Sequence, residues 1–346
     1  MLAARLTIAA VACLVAPAFA HAQSSIADFY RGKTISLMVG ASVGGGYDLV
    51  ARLVASRLGA HIPGNPSIVV QNIPNAGGLV MANNLYNIAA RDGTAIGLPS
   101  NAITLETRLK ILTRGGGNAS FDVAKFNWLG TAARQPQVTY AWHTAGVKTA
   151  EDLRTKPLIM AALSPGSDSY ILSVVMNKVL GAKMKIVSGY EGAADTSVAL
   201  ERGEVQGYNN NFTSLIGNHP QWIRDRLVHI LIQFGRERLE LLPDVPTAIE
   251  LATKDIDRAS LRLYSNKYEI AYGLITPPGV PAERIAALRA AFDATMRDPD
   301  YIAGAQRIRL PLNHLNGDAV SKLIAEIESA PQAVADNMRE LMTPPN

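Results

Sequence analysis

The chain has 346 residues, 48% hydrophobic and 18% charged, with a formal net charge of +4. That length and balance exclude a disordered or fibrous chain and allow two domains with cores of their own. The small net charge, with no basic stripe interleaved with aromatics, speaks against nucleic acid as a partner. Cys13 is the only cysteine, which leaves no disulfide or thiol chemistry beyond the N-terminal leader.

Residues 1–22 read as a secretory signal: Arg5, an apolar run over 6–20, and small-residue cleavage options after Ala20 or Ala22. The run is broken by Pro17 and too short to span a bilayer, and no later stretch reaches membrane length. Cys13 comes too early in the apolar run to serve a lipid anchor. The expectation is an exported, soluble protein with no membrane insertion.

The run Thr34–Arg52, TISLMVGASVGGGYDLVAR, carries the most information. Ile35, Leu37, Met38 and Val39 form a short apolar strand, Gly44, Gly45 and Gly46 break it, and a helix follows with Leu49, Val50, Leu53 and Val54. Asp48 and Arg52 stand four apart on that helix, the spacing of an ion pair. Strand, glycine-rich turn and helix together present unpaired N–H groups at a positive helix end, which accepts an anion. A dinucleotide fingerprint fails because Leu49 stands where its last glycine belongs, and a P-loop fails because Tyr47-Asp48 replaces Lys-Ser/Thr. Gly40-Ala41-Ser42-Val43-Gly44 does match G-x-S-x-G. This is the first strand after the leader, however, so no earlier strand supplies an oxyanion-hole loop. A secreted serine hydrolase using Ser42 with His314 is therefore kept only as a rival.

Further on, Ser67–Gln71 reads as a strand, Leu79–Ala90 as a helix, Thr94–Leu98 as a strand, and Ser100-Asn101 as the cap of a helix to Leu112. This βαβαβ order implies a parallel sheet. After a loop at Gly115–Ser120 come strands at Asn127–Ala132 and Gln137–Trp142. A second unit then has strands at Leu158–Leu163 and Met184–Ser188 and helices ending at Leu180 and Arg202. His229–Phe234 is a strand expected to return to the first domain. Ile270–Ile275 is another, and the remainder is mostly helical.

Four strand-to-helix junctions, at 40–48, 72–79, 164–170 and 188–195, are rich in Gly, Ser or Asn and carry no Lys or Arg. Two fall in each half. In open α/β sheets ligands bind beyond the carboxyl ends of the strands, so these junctions suit a carboxylate held by amides and hydroxyls. They suit phosphoryl transfer poorly, because that chemistry leans on Lys, Arg or a metal. Asp48, Asp168, Glu191 and Asp195 near these turns read as partners of helix dipoles rather than as a catalytic pair. Tyr47, Tyr170 and Tyr190 stand ready for packing or for a ligand. Arg134 is the one cation expected near the hinge. The histidines have no ligand spacing, so neither a metal nor another cofactor is expected.

The chain resembles the substrate-binding proteins of tripartite tricarboxylate transporters, the Bug receptor family. The likeness lies in Val43-Gly-Gly-Gly-Tyr-Asp48 with Ala51-Arg52, Val69-Val-Gln-Asn72 with Asn75-Ala-Gly-Gly78, and Arg91-Asp-Gly-Thr94. It continues in Gly189-Tyr190 and Gly192 with Ala199-Leu-Glu-Arg-Gly-Glu-Val205, Leu242-Pro-Asp-Val-Pro-Thr247 and Pro277-Pro-Gly-Val-Pro281. Val43 departs from the family's usual proline, and Asn75 stands where glycine is common.

The resemblance implies a two-domain periplasmic-binding-protein (Venus flytrap, type II-like) α/β fold, each domain a mainly parallel sheet flanked by helices. The first domain would span 23–131 plus 232–346 and the second 132–231, with the ligand cleft between them. It also implies a non-catalytic, monomeric periplasmic receptor that passes a di- or tricarboxylate or related organic acid to a two-subunit membrane permease. A sensory receptor for a membrane kinase would share every motif. Carried over by position, Ser42, Gly45 and Gly46 with Tyr47 would contact ligand at the first turn, and Asn75, Ala76, Gly77 and Gly78 at the second. Ser100 and Thr131 would lie near the cleft floor. Ser164, Gly166 and Ser167 would close from the second domain, with Tyr190, Asp195 and Asn209 nearby.

Overall fold

A computed structural model describes residues 26–113 and 117–344. The expected signal segment, Cys13 and the first part of the loop at 115–120 lie outside those residues. Strand β1 (Thr34–Val39) is followed by helix α1 (Gly46–His61), β2 (Ser67–Asn72), α2 (Leu79–Asn87) and β3 (Ala95–Leu98). β1 lies between β2 and β3 and is parallel to both, as the βαβαβ order requires. Alternation decides its faces: Ile35, Leu37 and Val39 are buried, and they share an apolar cluster with Val50, Val54 and Leu58, which recur every four residues along α1.

The helix expected from Ser100 to Leu112 is broken. A 3₁₀ turn (Asn101–Leu105) leads into one α-helical turn (Glu106–Leu109), ended by Lys110 at φ +54°. The cause is Glu106, which is fully buried. Its carboxylate accepts hydrogen bonds from the N–H groups of Leu112 (2.6 Å) and Thr113 (3.2 Å), so the chain folds back over it. An unpaired buried carboxylate would cost more than the lost helix.

β4 (Asn127–Thr131) ends the first half, and the chain crosses into a second sheet through β5 (Gln137–Trp142). There follow β6 (Leu158–Ala162), α3 (Asp168–Leu180), β7 (Met184–Ser188), α4 (Ala193–Glu201), β8 (Gly207–Asn211) and β9 (Val228–Phe234). The second sheet runs β7-β6-β8-β5-β9, with β6 parallel to both neighbours and β5 antiparallel to both of its own. β9 therefore does not return to the first half. It pairs with β5 from Gln137↔Phe234 to Trp142↔Val228, so the boundary expected at 231/232 falls inside a paired strand and the chain leaves the second sheet only after Phe234.

α5 (Asp255–Glu269), β10 (Gly273–Thr276), α6 (Ala282–Thr295), α7 (Pro299–Arg307), β11 (Leu315–Asn316), α8 (Gly317–Glu328) and α9 (Gln332–Leu341) complete the chain. The first sheet is ordered β11-β4-β10-β3-β1-β2, with β10 antiparallel to β3 and β4, and β11 antiparallel to β4. Both sheets are thus mixed: a parallel trio of βα units on one side, and antiparallel strands where the chain passes out and back. One apolar cluster runs from Met81, Leu85 and Trp128 through Leu261 and Tyr264 of α5 to Val175 and Met176 of α3. Packed helices, as well as crossing strands, join the halves.

Candidate functional site

The turns that follow β1, β2 and β3 converge at backbone contact. A Cβ on Gly40 would lie 3.0 Å from the Cα of Gly78, and a Cβ on Gly78 would lie 3.0 Å from the Gly40 carbonyl oxygen and 3.3 Å from the Ser100 nitrogen. A Cβ at either position would press on main chain, which would have to give by a few tenths of an ångström. The second turn is stranger still: Ala76, Gly77 and Gly78 take φ values of +51°, +63° and +90° in succession. Consecutive turned peptide units of this kind make concavities suited to anions.

Ser42, Gly45 and Gly46 are exposed on the first turn, and Asn75, Ala76 and Gly77 on the second, while Gly78 is buried at the convergence. Asp48 clamps the two turns rather than facing a ligand. It is 2% exposed and accepts from Gly44 N–H (2.9 Å), Arg52 Nε (3.0 Å) and Asn72 Nδ2 (3.0 Å), while Asn72 also donates to the Ala41 carbonyl (3.0 Å). These bonds, that from Arg52 first, hold its carboxyl down at about 2. The expected Asp48–Arg52 pair is present.

Tyr47 is half-buried. Its hydroxyl accepts from Asn101 N–H (3.0 Å), and its ring meets Tyr272 edge to face at 5.0 Å. Tyr272 in turn accepts a hydrogen bond from Gln135 in the segment crossing between the halves. Burial raises the Tyr47 hydroxyl pKa, and the neighbouring Tyr272 adds to the shift. The Ser100 hydroxyl accepts from Ala102 N–H (3.3 Å) and so caps the 3₁₀ turn.

In the second half Ser164 and Gly166 are exposed, as is Asp195 in the first turn of α4. Tyr190 is half-buried against that half's apolar cluster. The Ser167 hydroxyl is used locally, donating to the Ser164 carbonyl (2.6 Å) and sharing a hydrogen bond with Ser169 Oγ (2.8 Å).

Two expected contacts are internal instead. Thr131 is fully buried, and its hydroxyl donates to the Ala133 carbonyl and accepts from Tyr272 N–H, which fixes the crossing segment. Asn209 is 2% exposed; its amide accepts from Thr139 Oγ1 and donates to the Ser169 carbonyl and Ser173 Oγ. Both residues satisfy buried polar neighbours and have nothing to offer a ligand.

The helices that leave the four turns share a feature. α1, α2, α3 and α4 begin at Gly45, Gly78, Ser167 and Gly192, and no side chain caps any of them. Their first N–H groups have no partner inside the helix, and each carries the positive end of a helix dipole. Uncapped starts also occur at Pro281 and Pro331, so the mark of the four is the combination with exposed small-residue turns.

The full cation beside these turns is Lys267, not the Arg134 expected from sequence. Lys267 of α5 is 3% exposed, and its ammonium donates to Asp168 Oδ1 (2.6 Å) and to the Tyr264 hydroxyl (2.9 Å), which itself donates to Asp168 (2.7 Å). The ammonium lies 4.0 Å from the Tyr264 ring centroid. The backbone carbonyl of Lys267 accepts from Asn101 Nδ2 (3.2 Å), beside the third turn. The only trace in the sequence is Tyr264, Lys267 and Tyr268 at helical spacing.

Arg134 turns away from the four turns. It donates to the Asn313 carbonyl, pairs with Glu269 at 3.6 Å, and lines a separate hollow of about 810 Å³ with Pro136, Phe212, Leu241 and Arg309. Next to it in the chain, Gln135 donates to the Tyr272 hydroxyl. Ser42 stands exposed in its turn, while His314 lies beside Asp293 and Arg297. Among the described residues there is no His/Cys/Asp/Glu cluster fit for a metal, and no helix long and apolar enough to cross a membrane.

A family model described as "Tripartite tricarboxylate transporter family receptor" matches residues 50–337. A UPF0065 protein of Agrobacterium vitis is 24% identical over 295 residues, covering 83% of this chain and 77% of its own. The structure of a TctC solute-binding protein from Polaromonas superposes with a TM-score of 0.67 at 18% identity, over 90% of this chain and 98% of that one. MatC from Rhodopseudomonas palustris, with bound malate, does so with a TM-score of 0.55 at 20% identity, over 90% and 99%.

Proposed function

Because the chain belongs to the tripartite tricarboxylate transporter receptor family, whose members are periplasmic solute-binding proteins and not enzymes, we propose that it captures a small carboxylate in a cleft between its halves and delivers it to a two-subunit membrane permease. The observation that carries this reading is the set of four uncapped helix starts at exposed small-residue turns, two from each half. A carboxylate completes the orphan N–H groups and sits against the dipoles without an unpaired cation. Malate in MatC supports the ligand class.

In this reading Ser42, Gly45, Gly46 and Ala76–Gly78 take the acid from the first half. Ser164 and Gly166 close over it from the second, with Tyr190 and Asp195 at the rim. Ligand bridging both halves shifts the hinge equilibrium toward closure by its greater affinity for the closed form. The protein acts in the periplasm as a monomer, after removal of residues 1–22. The second domain runs to Phe234.

A thermal-shift screen over organic acids tests the proposal. A true ligand at a hundredfold its dissociation constant adds about 2.7 kcal/mol of stability. No upward shift with any acid of a broad set would refute the carboxylate reading, and uptake that needs both this chain and the permease would establish the transport role.

A further inference from the structure

Lys267 and Asp168 belong to opposite sides of the molecule. Asp168 opens α3, directly after the exposed turn 164–167 of the second half, whereas Lys267 comes from α5, which is tied to the third turn of the first half through Asn101. A buried ammonium is costly unless paired. Here Asp168, the Tyr264 hydroxyl and the Tyr264 ring satisfy it.

Both bonds from α5 land on Oδ1 of Asp168, and 28% of the Asp168 side chain remains exposed. Its charge also contributes to raising the Tyr47 hydroxyl pKa, so it lies within electrostatic reach of the first turn. The carboxylate beside the proposed ligand turns is therefore neutralised from within, while its Oδ2 receives neither of these bonds and the side chain is not fully enclosed. Such a group repels a bare acid less than a free Asp would, and it takes a donor that a bare acid lacks.

We propose, building on the receptor reading, that Asp168, held and neutralised by Lys267, is a specificity-determining residue that selects carboxylic acids bearing a hydrogen-bond donor on the carbon next to the carboxylate. The carboxylate goes to the uncapped turns and the donor, a hydroxyl or an ammonium, goes to Oδ2 of Asp168. Lys267 is a positioning residue: it fixes the Asp168 rotamer and sets the charge that the ligand meets.

Calorimetric titration with three matched sets tests this: succinate, malate and aspartate; glutarate, 2-hydroxyglutarate and glutamate; phenylpropionate, phenyllactate and phenylalanine. Within whichever set binds, the wild type should hold a donor-bearing member about tenfold or more tighter than the bare acid, as expected for a hydrogen bond to a charged group. Lys267→Met should shift the preference further toward the ammonium member, because Asp168 then carries an uncompensated charge. The double variant Asp168→Asn/Lys267→Met leaves no buried ion alone, and its members should bind within about threefold of one another. Equal binding of bare and substituted acids by the wild type overturns the inference and leaves the receptor reading intact. A preference that persists in the folded double variant does the same. Failure of every acid to bind overturns both together.

Discussion

Gly40 and Gly78 meet backbone to backbone where β1 and β2 end: a side chain on either would stand 3.0 Å from main-chain atoms of the other. This contact brings the first two turns of the candidate site together, and it needs glycine twice, because Gly78 also has φ +90°. Gly78→Ala should therefore cost about 2–4 kcal/mol, combining left-handed strain with displaced backbone, and should weaken ligand binding as well. Gly44→Ala is the control. Gly44 has φ +81° but nothing within 4 Å of a Cβ, so only the strain of about 1–2 kcal/mol applies. Urea unfolding of the two variants gives the comparison.

Acid should unfold the protein through its clamped carboxylates. Arg52, Gly44 and Asn72 hold Asp48 down at about 2, and Arg57 and then His61 hold Asp298 well below the ordinary range. A carboxyl whose folded pKa is depressed contributes stability above its unfolded pKa and loses it as pH falls through the folded one. The urea midpoint should thus hold down to about pH 4 and fall steeply toward pH 2. Asp48→Asn should be less stable at pH 7 and show a shallower acid loss. An unchanged acid limb in that variant would refute the clamp.

Asn209→Ala separates structure from recognition. The buried amide serves Thr139, Ser169 and Ser173, so its removal should cost about 2–3 kcal/mol by leaving those groups unpaired. The ligand dissociation constant should stay within about twofold, since a change under 0.4 kcal/mol is what an indirect effect allows. A large affinity loss at unchanged stability would return Asn209 to the ligand.

Arg309 makes a second link between the halves. At φ +54° it donates to the Gly217 carbonyl at the end of the helix Phe212–Asn218. A closure that separates these two groups would have to break this bond. Arg309→Ala should accordingly favour closure and tighten ligand binding about two- to fivefold, the worth of one exposed hydrogen bond to a helix C-terminus. Distance measurements between spin labels on the two halves, with and without ligand, would detect the shift.

The local parts of the fold were legible because their causes are local. A short apolar run ended by glycines placed β1, and the four-residue spacing placed the Asp48–Arg52 pair. Gly, Ser and Asn clusters marked all four turns. The mixed sheets were only half legible, since the parallel trios follow from βα order but an antiparallel return looks like any apolar strand. β9 shows this: its own residues do not say whether β4 or β5 will pair with it, and its last three residues, Ile232, Gln233 and Phe234, lie beyond the boundary expected from sequence.

By itself the sequence determined the βα units and the small-residue turns, because each depends on backbone geometry within a few residues. Tertiary structure alone decided which polar groups those turns leave open. Thr131 and Asn209 were enclosed by strands and helices distant in the chain. Lys267 was carried to Asp168 across 99 positions, where burial makes the ion pair compulsory. Composition around a residue fixes its conformational preferences, but desolvation by remote segments fixes whether it faces a ligand or the protein itself.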